Sequence, residues 1–130
     1  MLRKQMMSAV VVLLVSMTAI SQTASTSKGN QLYSWKVKGH WYYSLLPGSS
    51  SSRSYEEITA PKAVRRDTAG LKSALQKLPK GAEVLWMSDA PISARKSESG
   101  RLLDVKHPSR ARIKNIKAIC AKLGISLKLS

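Results

Sequence analysis

The chain has 130 residues, with 22 lysines and arginines against seven acids and a formal charge of +15. That length suits one domain with a modest core. A single cysteine excludes an intrachain disulfide, and one cysteine with two histidines offers no recognisable zinc set.

The first 21 residues read as a cleavable export signal. Arg3 and Lys4 form a short positive region, and residues 9–15 (AVVVLLV) an unbroken apolar run. Ala19 and Ser21 then occupy the −3 and −1 positions of a cut before Gln22, with a second possible cut after Ser25. An uncleaved anchor needs roughly 20 mostly apolar residues, and this run is well short of that. The expected location is therefore the periplasm or the extracellular medium. Loss of Arg3 and Lys4 with the signal leaves +13, a charge that favours anionic partners: an envelope polymer, nucleic acid, lipid headgroups or an acidic protein. Simple solubility is the competing explanation of that charge.

Residues 22–30 are small and polar and read as a flexible leader before one domain, 31–130. Tyr33, Trp35 and Val37 alternate with Ser34, Lys36 and Lys38, a period of two. With Gly39-His40 as a II′ turn, this predicts a hairpin with strands 32–38 and 41–46. Residues 47–54 (PGSSSSRS) read as a mobile low-complexity loop. The stripe Val64, Leu71, Leu75, Leu78 after Pro61 predicts a helix over 62–78, weakened at Gly70 and stopped by residues 78–81. Residues 84–87 (VLWM) read as a buried strand, and 89–108 as a long polar connection in which Leu102, Leu103 and Val105 could form a short strand.

The helix over 109–123 is the clearest element. Ile113, Ile116, Ile119, Cys120 and Leu123 share a face, Ser109 is a candidate N-cap, and Gly124 stands in the usual C-terminal glycine place. Cys120 is expected to pack rather than react. Ile125, Leu127 and Leu129 alternate into a last strand at a sheet edge. The order β-β-α-β-α-β predicts an α/β (or α+β) domain: a mixed four-stranded sheet, two helices packed on it, and a C-terminal βαβ crossover.

Three constellations are candidates for function. Trp41, Tyr42 and Tyr43 with Lys36 and Lys38 could form a stacking surface for single-stranded nucleic acid or an anionic glycan. Tyr33 and Trp35 weigh more heavily as core, since this chain has no phenylalanine to fill it. Arg110, Arg112 and Lys114 crowd the first turn and a half of the last helix with charge of the wrong sign for its dipole, the pattern of an anion site that His107 and Ser109 could join, and Arg110, Lys114 and Lys117 share a basic stripe away from the isoleucines. A solvated basic face is the plainer alternative. Finally, Asp89, Asp104 and His107, with His40 and Asp67 as further candidates, could be assembled into a hydrolase or nuclease. No G-x-S-x-G, P-loop or H-E-x-x-H pattern accompanies them. The leading expectation is an exported, non-enzymatic module for an anionic partner, with no cofactor and no metal. A small hydrolase centred on Asp89 and an inhibitor or immunity-type protein are the alternatives.

Overall fold

The computed structural model describes residues 29–130, so the expected export signal and most of the expected leader lie outside the described residues. Five strands form one mixed sheet: β1 (Gly29–Val37), β2 (His40–Pro47), β3 (Val64–Arg66), β4 (Glu83–Trp86) and β5 (Ser126–Leu129), in the spatial order β3-β2-β1-β4-β5. The pairs β1–β2 and β2–β3 are antiparallel, and β1–β4 and β4–β5 are parallel. Three α-helices accompany it: α1 (Tyr55–Ile58), α2 (Asp67–Leu75) and α3 (Arg110–Leu123). The α/β class and the parallel β4-α3-β5 unit are as the sequence implies, with one strand and one helix more than the pattern revealed.

The hairpin is longer than its alternating core. Gly29 and Asn30 belong to β1 rather than to a leader, with Gly29 opposite Glu83 and Asn30 opposite Val84 of β4. The turn residues are Lys38 and Gly39, between the paired Val37 and His40, and both have positive φ (50° and 83°). That is the I′ geometry rather than II′, and its twist matches that of the flanking strands.

The helix expected over 62–78 begins only at Asp67. Val64, Arg65 and Arg66 instead pair with Ser44, Tyr43 and Tyr42 along the outer edge of β2. Tertiary pairing overrides local helical pattern there, because β2 otherwise presents unpaired backbone groups. Asp67 makes the switch from strand to helix in the left-handed region (φ 59°), which aspartate tolerates better than most residues.

The sheet is covered on both faces. On one, α2 and α3 bury Leu71, Leu75, Ile116 and Cys120 against Leu32, Tyr43, Val84 and Trp86. On the other, α1 and the 88–108 connection bury Tyr55, Ile58, Ala94, Leu103 and Val105 against Tyr33, Trp35 and Leu46. The connection therefore acts as a third layer despite its polar composition. Its residue 106 also extends the pairing of β1: the Lys106 amide donates to the Ser34 carbonyl at 2.9 Å, and the Ser34 hydroxyl to the Lys106 carbonyl at 2.7 Å.

Arg53 fixes the 47–54 loop. Its buried guanidinium donates to the Pro47 and Gly48 carbonyls (2.8 and 3.2 Å), to the Gln31 side-chain oxygen and to Glu57 (2.6 Å). A serine-rich sequence suggests mobility, but one arginine with five donors closes this loop onto β1 and α1.

Burial also sets the response to alkali. It pushes the Cys120 thiol up to about 11 from an ordinary 9.0. Burial likewise raises the Tyr33 and Tyr43 phenols, partly offset by Arg53 and Arg112 respectively. The unfolded chain therefore loses these protons first, and stability falls as pH climbs above about 9. Urea unfolding at pH 8 and pH 10.5 should show a lower midpoint at the higher pH. At pH 8 a thiol reagent should modify Cys120 only after unfolding.

Candidate functional site

Strands β1, β3, β4 and β5 point the same way, so α2 and α3 both begin at the carboxyl end of the sheet, where open α/β sheets place ligands. Ser109 caps α3, its hydroxyl accepting from the Arg112 amide at 3.3 Å. The two arginines beyond it part company. Arg110 is exposed, whereas Arg112 is half-buried and donates to the Thr68 hydroxyl at the start of α2 (3.2 Å). The buried Tyr43 hydroxyl lies near this pair and closes no ordinary hydrogen bond.

From its first residue onward α3 presents Arg110, Lys114 and Lys117 along one exposed row. The helix carries no acid. Among the described residues only Arg53, Arg66, Arg95 and Lys106 of the lysines and arginines stand within 4.0 Å of a carboxylate. Arg110, Lys114 and Lys117 therefore face solvent without an intramolecular counter-charge. Arg66 is also 3.1 Å from the His40 ring, and both neighbour Asp67.

The expected stacking surface is divided by the strand pleat. Trp41 and Tyr43 point into the α2–α3 side of the sheet and are buried there, Tyr43 completely. Tyr42 points the other way and is half-buried. Lys36 and Lys38 are exposed beside the hairpin turn. Only Tyr42 of these three rings presents appreciable surface, because successive residues of a covered strand alternate between two cores.

On that other face the structure assembles an aromatic groove that no local sequence pattern announces. Trp35 and Tyr42 stack across the β1–β2 pair with ring centroids 6.4 Å apart. Tyr55 of α1 joins them, with the Arg101 guanidinium over its ring at 5.6 Å. Arg66 and Leu102 complete an open groove of 680 Å³.

The carboxylates and imidazole of the hydrolase reading are engaged separately. Asp89 is exposed; one oxygen accepts from the Ala90 amide and the other from Arg95 (2.9 and 2.8 Å). Asp104 pairs with Lys106 at 3.4 Å. His107 donates from Nε2 to the Trp86 carbonyl at 3.0 Å and sets its ring edge-on to Trp86. No hydrogen bond or ion pair joins the three to one another, and no group of three or more metal-ligating side chains occurs, among the described residues. Nor is any helix among them long and apolar enough to cross a membrane. No protein-family model, curated protein or solved structure matches this chain.

Proposed function

We propose that this is an exported, non-enzymatic module that binds an anionic partner, a polymer or an acidic protein surface, through the exposed face of α3. The observation that supports it best is the row Arg110, Lys114, Lys117 on a helix with no acid and no counter-charge. Unpaired cations at such spacing repel one another and are relieved when an anionic surface neutralises them. The α3 start adds the positive end of the helix dipole.

Titration with heparin and with an oligothymidylate of 20 nucleotides, read by tryptophan fluorescence at several salt concentrations, tests this. Saturable binding should weaken steeply with salt. Replacing Arg110, Lys114 and Lys117 together by alanine should reduce affinity about tenfold or more and, on the single strand, flatten the log–log salt slope by about 2. An unchanged slope and affinity would remove α3 as the binding face.

A further inference from the structure

We propose that the aromatic groove on the opposite face of the sheet from α3 is a docking site for an acidic protein segment, one that presents an apolar side chain flanked by aspartate or glutamate. The site stands on observations independent of the α3 reading.

Its walls come from distant parts of the chain. The floor is the Trp35–Tyr42 stack, one wall is the end of α1 with β3, and the other is the tight loop over 95–103. That loop is closed by backbone bonds from Ser97 to Arg101 and from Leu103 to Arg95, both 2.8 Å. It turns Leu103 into the core and holds Leu102 outward, 77% exposed. Val37, 44% exposed, stands on the same groove. Two of the three large apolar side chains most exposed among the described residues thus meet at one place, beside three aromatic rings. Exposed apolar groups gathered in this way mark interaction surfaces, and tryptophan, tyrosine and arginine are the residues enriched where protein partners bind tightly.

Charge selects the partner. Arg66 and Arg101 line the groove and no carboxylate does. Arg66 shares its charge with Asp67 at 3.7 Å, while Arg101 has no carboxylate within ion-pair distance among the described residues. A planar guanidinium beside an apolar slot matches a carboxylate in two-pronged fashion. The ring geometry favours a peptide over nucleobases. Trp35 and Tyr55 are more than nine-tenths buried, Trp35 stacks against Tyr42, and Arg101 already covers the Tyr55 face. Base stacking needs an open ring face, whereas a leucine-sized side chain needs only an apolar lining, which Val37, Tyr42 and Leu102 offer.

The test is selection of a random heptapeptide display library on the purified protein, followed by affinity measurements with the recovered peptides. The paired variant Arg101→Glu with Leu102→Asp removes the site at two exposed positions, and its unfolding curve checks that the fold is kept. Recovered peptides should share an apolar residue next to an acid. They should lose about tenfold or more in affinity for the paired variant, and retain affinity for the Arg110, Lys114, Lys117 alanine variant. Recovery of no peptide, or of peptides whose binding survives the paired substitution, would overturn the proposal. So would heparin or the oligothymidylate losing more affinity on the paired substitution than on the Arg110, Lys114, Lys117 alanine substitution, which changes the net charge equally, since the groove would then hold a polymer. Failure of the α3 reading would appear only in the other variant.

Discussion

Trp86→Ala is expected to remove a large part of the protein's stability, about 3–5 kcal/mol. The side chain is completely buried in the middle of the layer between the sheet and α3. Its ring tilts against Tyr43 at 6.3 Å and meets the edge-on His107 at 5.6 Å. Truncating a buried tryptophan costs about 3–5 kcal/mol, and domains are typically stable by only about 5–15 kcal/mol. The indole N–H also donates to the Ser34 hydroxyl at 2.9 Å, and Ser34 in turn anchors residue 106. The loss therefore passes through the sheet to the layer beyond. Trp86→Phe keeps a ring and removes that donor, and should cost about 1–3 kcal/mol. Urea unfolding followed by circular dichroism separates the two. A cooperative transition for Trp86→Ala within about 1 kcal/mol of the parent would contradict the burial described.

Arg53→Met is expected to be the most damaging change outside the two apolar clusters, at about 3 kcal/mol. Methionine fills part of the volume but takes the arginine donors from the Pro47 and Gly48 carbonyls and leaves the Gln31 oxygen only the Ser50 amide at 3.2 Å and the Tyr33 hydroxyl at 3.4 Å. Glu57 matters far less. Its side chain is 46% exposed and water can replace the arginine, so Glu57→Gln should cost less than about 1 kcal/mol. Thermal unfolding of the two variants gives the comparison directly. Equal shifts would mean that the ion pair, rather than the bonds to Gln31 and the loop carbonyls, carries the stability.

Local signals were enough where they agreed with one another. Ser109, the isoleucine stripe and Gly124 all specify α3, and in the structure Ser109 caps it and Gly124 ends it at φ 74°. A short signal is easily outweighed by its surroundings. Ser54 with Glu57 is a capping-box spacing, and it starts the four-residue α1, the Ser54 hydroxyl accepting from the Glu57 amide. β3 is harder to read, because three residues of Val-Arg-Arg carry no period; only the open edge of β2 decides their state. Alternation in β1 was visible but suggested one wet face, whereas Leu32, Tyr33, Ser34 and Trp35 are all buried. The cover on the second face comes from a segment whose composition is polar, so no local pattern foretold it. The same reason hides the aromatic groove: Arg101 and Leu102 reach Tyr55 and Trp35 only once the third layer has folded back.

That double covering of β1 has a consequence for the order of folding. The β1–β2 hairpin is local in sequence and can form within about 1–10 μs. At that stage Leu32, Tyr33, Trp35, Trp41, Tyr43 and Leu46 stand uncovered on its two sides. Their cover arrives from α2 and α3 on one side and from α1 and the 88–108 segment on the other, along a chain that must close long loops to deliver it. The early hairpin is thus a sticky ribbon with two adhesive faces, and the yield of refolding falls as protein concentration rises. The large positive charge opposes that association: it holds half-folded copies of the chain apart while the outer layers arrive.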